Sequence, residues 1–341
     1  MLNPYENINW DTSIPIISVS HCHATTQKVF DYLYDGGCRH MALSNYRPSV
    51  PYYPLPYGDI TEIPDDVISC PNAEHFGWIT DGHFNGLGID FASGSSGGGW
   101  TPQNWKVAFD IMLLHLLYAD GGGITINHLT WTNRNQDNIP TELAIKMLDY
   151  DDRILGIENI TEYGRDNWRF DWPVWDNRSY WDEILLTGRR CWGFCVPDHD
   201  AEAQTGWTGE DWTGQNVLLL PQGTPTRGEE ANHACLKAYR NGQFYSRLLQ
   251  GNFAFTSISV NDKTITASTN SGTKIRFIED GIATEYNGAT ASHTVSNDAV
   301  YCRIEAEDAE NNLLMSQAIT FKEYVKPKKQ RMSALNIALL G

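Results

Sequence analysis

The periodicity of the chain changes near Gly251, and that change constrains the fold more than any other feature. Before it, short apolar and β-branched runs at 14–20, 40–43, 67–70, 124–127, 154–157 and 191–196 read as strands. Helical spacing separates them, over 25–34, from Thr101-Pro102 onward with Trp105, Ala108, Ile111, Leu114 and Leu117 as its stripe, and over 141–148, 179–186 and 229–240. Strands alternating with helices predict an α/β class with a parallel sheet or barrel. After Gly251 the spacing shortens to two, as in Lys274-Ile275-Arg276-Phe277-Ile278, with turn signals at Asn261-Asp262, Asp280-Gly281 and Asn287-Gly288. That pattern predicts a small all-β, sandwich-like domain. The expected organisation is residues 1–250, then 251–323, then a basic and apolar tail at 324–341.

Chemistry-bearing residues recur where the strands of the first part end. The opening run is followed at once by His21-Cys22-His23. In extended chain alternate side chains share a face, so His21 and His23 project together and Cys22 points away. An isolated pair of this kind is also compatible with one buried, hydrogen-bonded His beside an exposed one. Later strand ends add Asn45, Glu74, His128, Glu158, and Asp198 with His199. In a parallel α/β sheet or barrel the loops at that edge carry the chemistry. Imidazole and carboxylate together favour Zn, Mn or Fe over Mg or Ca, which prefer oxygen shells. One to three divalent ions are therefore expected, held by His21, His23, Glu74, His128, Asp198 and His199. Glu158 is open to three readings: a ligand, a partner that orients a His, or half of an ion pair.

The charge balance narrows the partners. Lys and Arg number 25 against 42 Asp and Glu, a formal net charge of −17. Nucleic acid as the main partner and anionic membrane surfaces would both be repelled, and a phosphorylated substrate would need bound cations beside it. The seven cysteines are scattered and odd in number, which predicts reduced thiols rather than a disulfide scaffold. The start of the chain has no basic and apolar leader, so a soluble, cytoplasmic protein is expected.

Taken together, these motifs resemble the polymerase and histidinol phosphatase (PHP) superfamily. His21-Cys22-His23 falls where that family opens with H-x-H. Pro71-Asn72-Ala73-Glu74 resembles the segment of its bridging Glu, and Gly82-His83-Phe84-Asn85 that of the His soon after. Ile126-Asn127-His128 resembles its N-H-P element with Leu129 in place of Pro, and Val196-Pro197-Asp198-His199-Asp200 its closing D-x-H. The resemblance implies a distorted (β/α)7 PHP-type barrel with a metal cluster at its strand ends, followed by the small β domain. It implies hydrolysis of phosphate mono- or diesters by a metal-bound hydroxide, with His83 or His199 protonating the leaving group where they are not ligands.

Departures from the family pattern favour a second reading. Ser44-Asn45-Tyr46 stands where the family has T-D-H, and Thr25-Thr26-Gln27 where it carries an Asp. A barrel that has lost turnover would instead bind a glycan or a protein. Trp131 and Arg134, just after His128, are placed to grip a substrate. Gly94-Ser95-Ser96-Gly97-Gly98 matches a nucleophile-elbow pattern, but a helix does not follow it directly, so a flexible loop is the simpler reading.

Overall fold

The computed structural model describes residues 1–24, 26–44, 50–51, 60–75, 82–92, 104–130, 139–161, 175–199, 214–248, 251–322 and 324. Among them are five helices and 23 strands. The two largest sheets, of ten and six strands, are mixed, and parallel pairing is confined to short stretches within them and to one two-stranded sheet. A (β/α)7 barrel is therefore not the fold.

The physical reason lies in what flanks the opening strand. Ile14–Val19 pairs in parallel with His40–Met41, with the helix Gln27–Asp35 between them, and His40–Met41 pairs in parallel with Ile68–Ser69. Its other edge is taken antiparallel by Gly214–Leu220, which pairs antiparallel with Phe244–Leu248. That strand in turn pairs antiparallel with Leu313–Ser316 from the C-terminal region. An edge already filled in this way cannot close a parallel barrel.

The ten-stranded sheet thus runs across residue 250. The same continuity appears in the core, where Tyr5, Val217, Leu219 and Tyr245 pack with Phe255, Ile275, Phe277 and Ile304. A buried charge network joins the regions as well. Arg303 donates through Nε and Nη2 to the two carboxylate oxygens of Asp182, at 2.7 and 2.8 Å. Asp182 belongs to the helix Arg178–Leu185, and Tyr301 Oη donates to the same carboxylate at 2.7 Å.

The second large sheet carries most of the remaining strand ends. Gly123–Ile126 and Trp192–Val196 flank Ile154–Thr161, both in parallel. Gly156 allows the closest approach there: a Cβ at this position would stand 1.9 Å from the Trp192 carbonyl oxygen. The free side of Trp192–Val196 is satisfied by side-chain amides in place of a strand. Gln317 accepts from Gly193 N–H at 2.8 Å and donates to Gly193 O at 2.9 Å, and Asn216 treats Cys195 the same way at 3.2 Å in each direction. A side-chain amide offers the donor and acceptor of a peptide unit, so Gln317 and Asn216 couple the two sheets as a strand would.

Sequence readings of local structure fare unevenly. The helix Thr141–Leu148 has the expected bounds, and Gly242, at φ 69°, ends the helix Gly228–Asn241 in the left-handed conformation. The helix Trp105–Leu114 is capped by Asn104, whose Oδ1 accepts from Lys106 N and Val107 N. Its buried stripe is Trp105, Ala108, Phe109, Met112 and Leu113; Leu114 and Leu117, expected inward, are exposed. All seven cysteines are buried and none is in a disulfide. Among the described residues no helix is long and apolar enough to cross a membrane. The tail from 325, the loop 94–98, Asn45, Tyr46 and Thr25 lie outside the described residues.

Candidate metal centre

Six of the residues singled out in the sequence meet in one buried cluster. His21 and His23 follow Ile14–Val19, His23 being in the short strand Cys22–His23; Glu74 opens Glu74–His75; His83 precedes Phe84–Leu87; His128 follows Gly123–Ile126; Asp198 follows Trp192–Val196. The parallel bridge Cys22–His23 to Asp198–His199 brings the first and last of these segments side by side.

Glu74 is the centre of the arrangement. Its Oε2 lies 3.0 Å from His23 Nε2, and its Oε1 lies 2.9 Å from His83 Nδ1, 3.1 Å from His128 Nε2 and 3.6 Å from His21 Nε2. Asp198 Oδ1 is 3.1 Å from His21 Nε2 and 3.6 Å from His23 Nε2, and the two Nε2 atoms are 3.3 Å apart. The atoms fall into two sets, His21, His23, Glu74 and Asp198, and Glu74, His83 and His128, each gathered within 4.8 Å. Donors arranged tetrahedrally around Zn at about 2.0 to 2.2 Å stand roughly 3.3 to 3.6 Å from one another. The side chains present fit a divalent cation in number, type and spacing, and Glu74 belongs to both sets.

The electrostatics favour positive charge at this place. His21 is fully buried, which by itself would lower its pKa; the charges of Asp198, Glu158 and Glu74 outweigh that and hold it well above the usual histidine value. Burial would raise Glu74, yet the charges of His83 and His21 hold it well below the usual carboxylate range. His128 is raised too, against burial, by its bond to Glu74 and the charge of Asp198. Buried carboxylates of this kind need a cation or protons beside them.

Backbone strain marks the same residues. His128 has φ 21° and Asp198 φ 61°, values that a non-glycine residue holds at a cost of about 1 to 3 kcal/mol when surrounding contacts impose them. Each lies two positions past the end of the strand that carries it to the cluster.

Several supporting groups were not legible as such. Asn127 Nδ2 donates to Glu74 Oε1 at 3.0 Å. Glu158, with three readings open from sequence, accepts from His21 Nδ1 at 2.6 Å and stands outside both sets of candidate ligands. Asn177 donates to the Glu158 carbonyl at 3.0 Å, and Thr130 Oγ1 donates to Asn177 Oδ1 at 2.7 Å. Asn127 adjoins His128 in the sequence, whereas Asn177 carried no signal before the fold was known. Trp131, Arg134 and Asp200 lie outside the described residues. The backbone of His199 pairs with His23, and its side chain is outside the described set.

No protein-family model, no curated protein and no solved structure matches this chain.

Proposed function

We propose that the chain is a metal-dependent hydrolase of phosphate esters, mono- or diesters, working through Zn, Mn or Fe at the buried cluster. The observation that carries this reading is Glu74, which belongs to both candidate ligand sets, with Oε2 beside His23 Nε2 and Oε1 beside His83 Nδ1 and His128 Nε2. A carboxylate so placed suits a pair of ions about 3.5 to 4 Å apart, the arrangement used for in-line displacement at phosphorus. Such ions lower the pKa of a water toward neutrality and offset charge on phosphoryl oxygens.

The chain's own residues set the rest. Glu74, held by Asn127, keeps the two ligand groups at a fixed separation. With a net charge of −17 and Glu74, Asp198 and Glu158 buried together, the site would repel a phosphate without cations. The motif likeness to the PHP superfamily supports the same chemistry through its residues and independently of a barrel. A cytoplasmic setting agrees with seven buried cysteines, none of them in a disulfide. Small phosphorylated molecules are the proposed substrates.

Metal analysis of the purified chain, with hydrolysis of an aryl phosphate before and after chelation, tests the reading. Bound Zn, Mn or Fe, with turnover lost to chelator and restored by the ion, is expected. A chain that binds none of these ions would overturn it.

A further inference from the structure

We infer that Glu158 is a positioning residue that ties the two metal positions together, so that its two oxygens set the affinity of both. The inference rests on reading the cluster as a metal centre. Oε1 accepts from His21 Nδ1 at 2.6 Å, which fixes the ring with Nε2 directed at Glu74 and Asp198. His21 belongs to the four-residue set. Oε2 accepts from the backbone N–H of His128 at 2.7 Å. That residue has φ 21°, and it belongs to the other set. One carboxylate therefore orients a ligand ring of the first position and holds the strained backbone that presents a ligand of the second.

The carboxylate is itself immobilised. Thr161 Oγ1 donates to Oε2 at 2.8 Å, and Asn177 Nδ2 donates to the Glu158 carbonyl at 3.0 Å. Glu158 sits in the strand Ile154–Thr161, paired with Phe194 of the neighbouring strand, and is buried. Both oxygens thus accept hydrogen bonds from the protein. A glutamine here keeps one acceptor and turns the other position into a donor, facing either His21 N–H or the His128 amide. Neither orientation serves both. Outer partners of metal ligands typically contribute about 10- to 100-fold in affinity, and here a single group acts on two positions.

The test is a two-site zinc titration of the full chain against a competing chelator, for wild type, Glu158→Ala, Glu158→Gln and Thr161→Val. The expected result is two sites in the wild type, both weakened about 10- to 100-fold in Glu158→Ala, at least one weakened in Glu158→Gln, and both weakened less in Thr161→Val. A merely structural role would lower the melting temperature of the metal-free chain and leave both affinities at wild-type values, which overturns the inference. Weakening of only one site by Glu158→Ala overturns it too and leaves the hydrolase reading intact. If Glu158→Ala does not fold, Thr161→Val decides, and unchanged affinities at both sites count against the inference. A wild-type chain that takes up no zinc, manganese or iron overturns both.

Discussion

Two buried histidines show how differently the same burial can be used. Ser18, a partner of His40, lies in the strand Ile14–Val19, and His21 follows three residues later, just past its end. Ser18 Oγ takes a hydrogen bond from Tyr239 Oη and meets His40 Nδ1, each at 2.7 Å, while His40 Nε2 donates to Asn232 Oδ1 at 3.0 Å. His40 and His21 are both fully buried. Every partner of His40 is neutral, and burial lowers it to about 4. His21 faces Asp198, Glu158 and Glu74, whose charges overcome the same burial and hold it far above its ordinary value. Partners, rather than burial, separate a packing histidine from one in a cation-seeking cluster.

The comparison breaks if either cluster behaves like the other. The largest effect belongs to Glu74→Ala, which removes the carboxylate common to both ligand sets. Metal affinity should fall at both positions by more than the ~100-fold typical of an outer partner, read by chelator competition. A loss confined to one position would show that Glu74 is not shared.

The next effect is on acid stability and involves His40. Its folded pKa, about 4, lies below the unfolded value of 6.5. Above pH 6.5 both states are neutral there and the residue adds no pH dependence. As pH falls from 6.5 the unfolded chain takes the proton first, and the penalty grows until the folded form protonates near pH 4, reaching about 3 kcal/mol. Urea unfolding at pH 7 and pH 4.5 should therefore show a shallower loss for His40→Gln than for wild type; equal losses would contradict the neutral assignment.

The smallest effect sharpens the contrast. Asn232→Ala leaves His40 Nε2–H without its acceptor and should cost about 1 to 3 kcal/mol of stability. Zinc affinity should not change. A drop in affinity would mean that the two clusters are coupled through their shared strand.

The site was more legible in the sequence than the fold, for a physical reason. His21, Glu74, His128 and Asp198 each follow a short apolar run, so local pattern alone finds the strand ends. Whether neighbouring strands run parallel is decided by segments far away in the chain. Gly214–Leu220, absent from the runs read as strands, takes the antiparallel edge of Ile14–Val19, and Leu313–Ser316 extends the same sheet from beyond residue 250. Alternation of strand and helix cannot reveal that. Glu158 likewise had three readings until the positions of His21 Nδ1 and the His128 amide distinguished them. The left-handed backbone at His128 and Asp198 leaves no trace in residue type.

The central claim is that side chains between His21 and Asp198 converge to hold two cations that share Glu74. A crystal structure with anomalous scattering collected at the Zn, Mn and Fe edges tests it most directly. Two peaks about 3.5 to 4 Å apart, one beside His21, His23 and Asp198 and the other beside His83 and His128, with Glu74 touching both, are expected. Crystals grown with these metals that show no peak at the cluster, or peaks bound by other residues, would contradict the account.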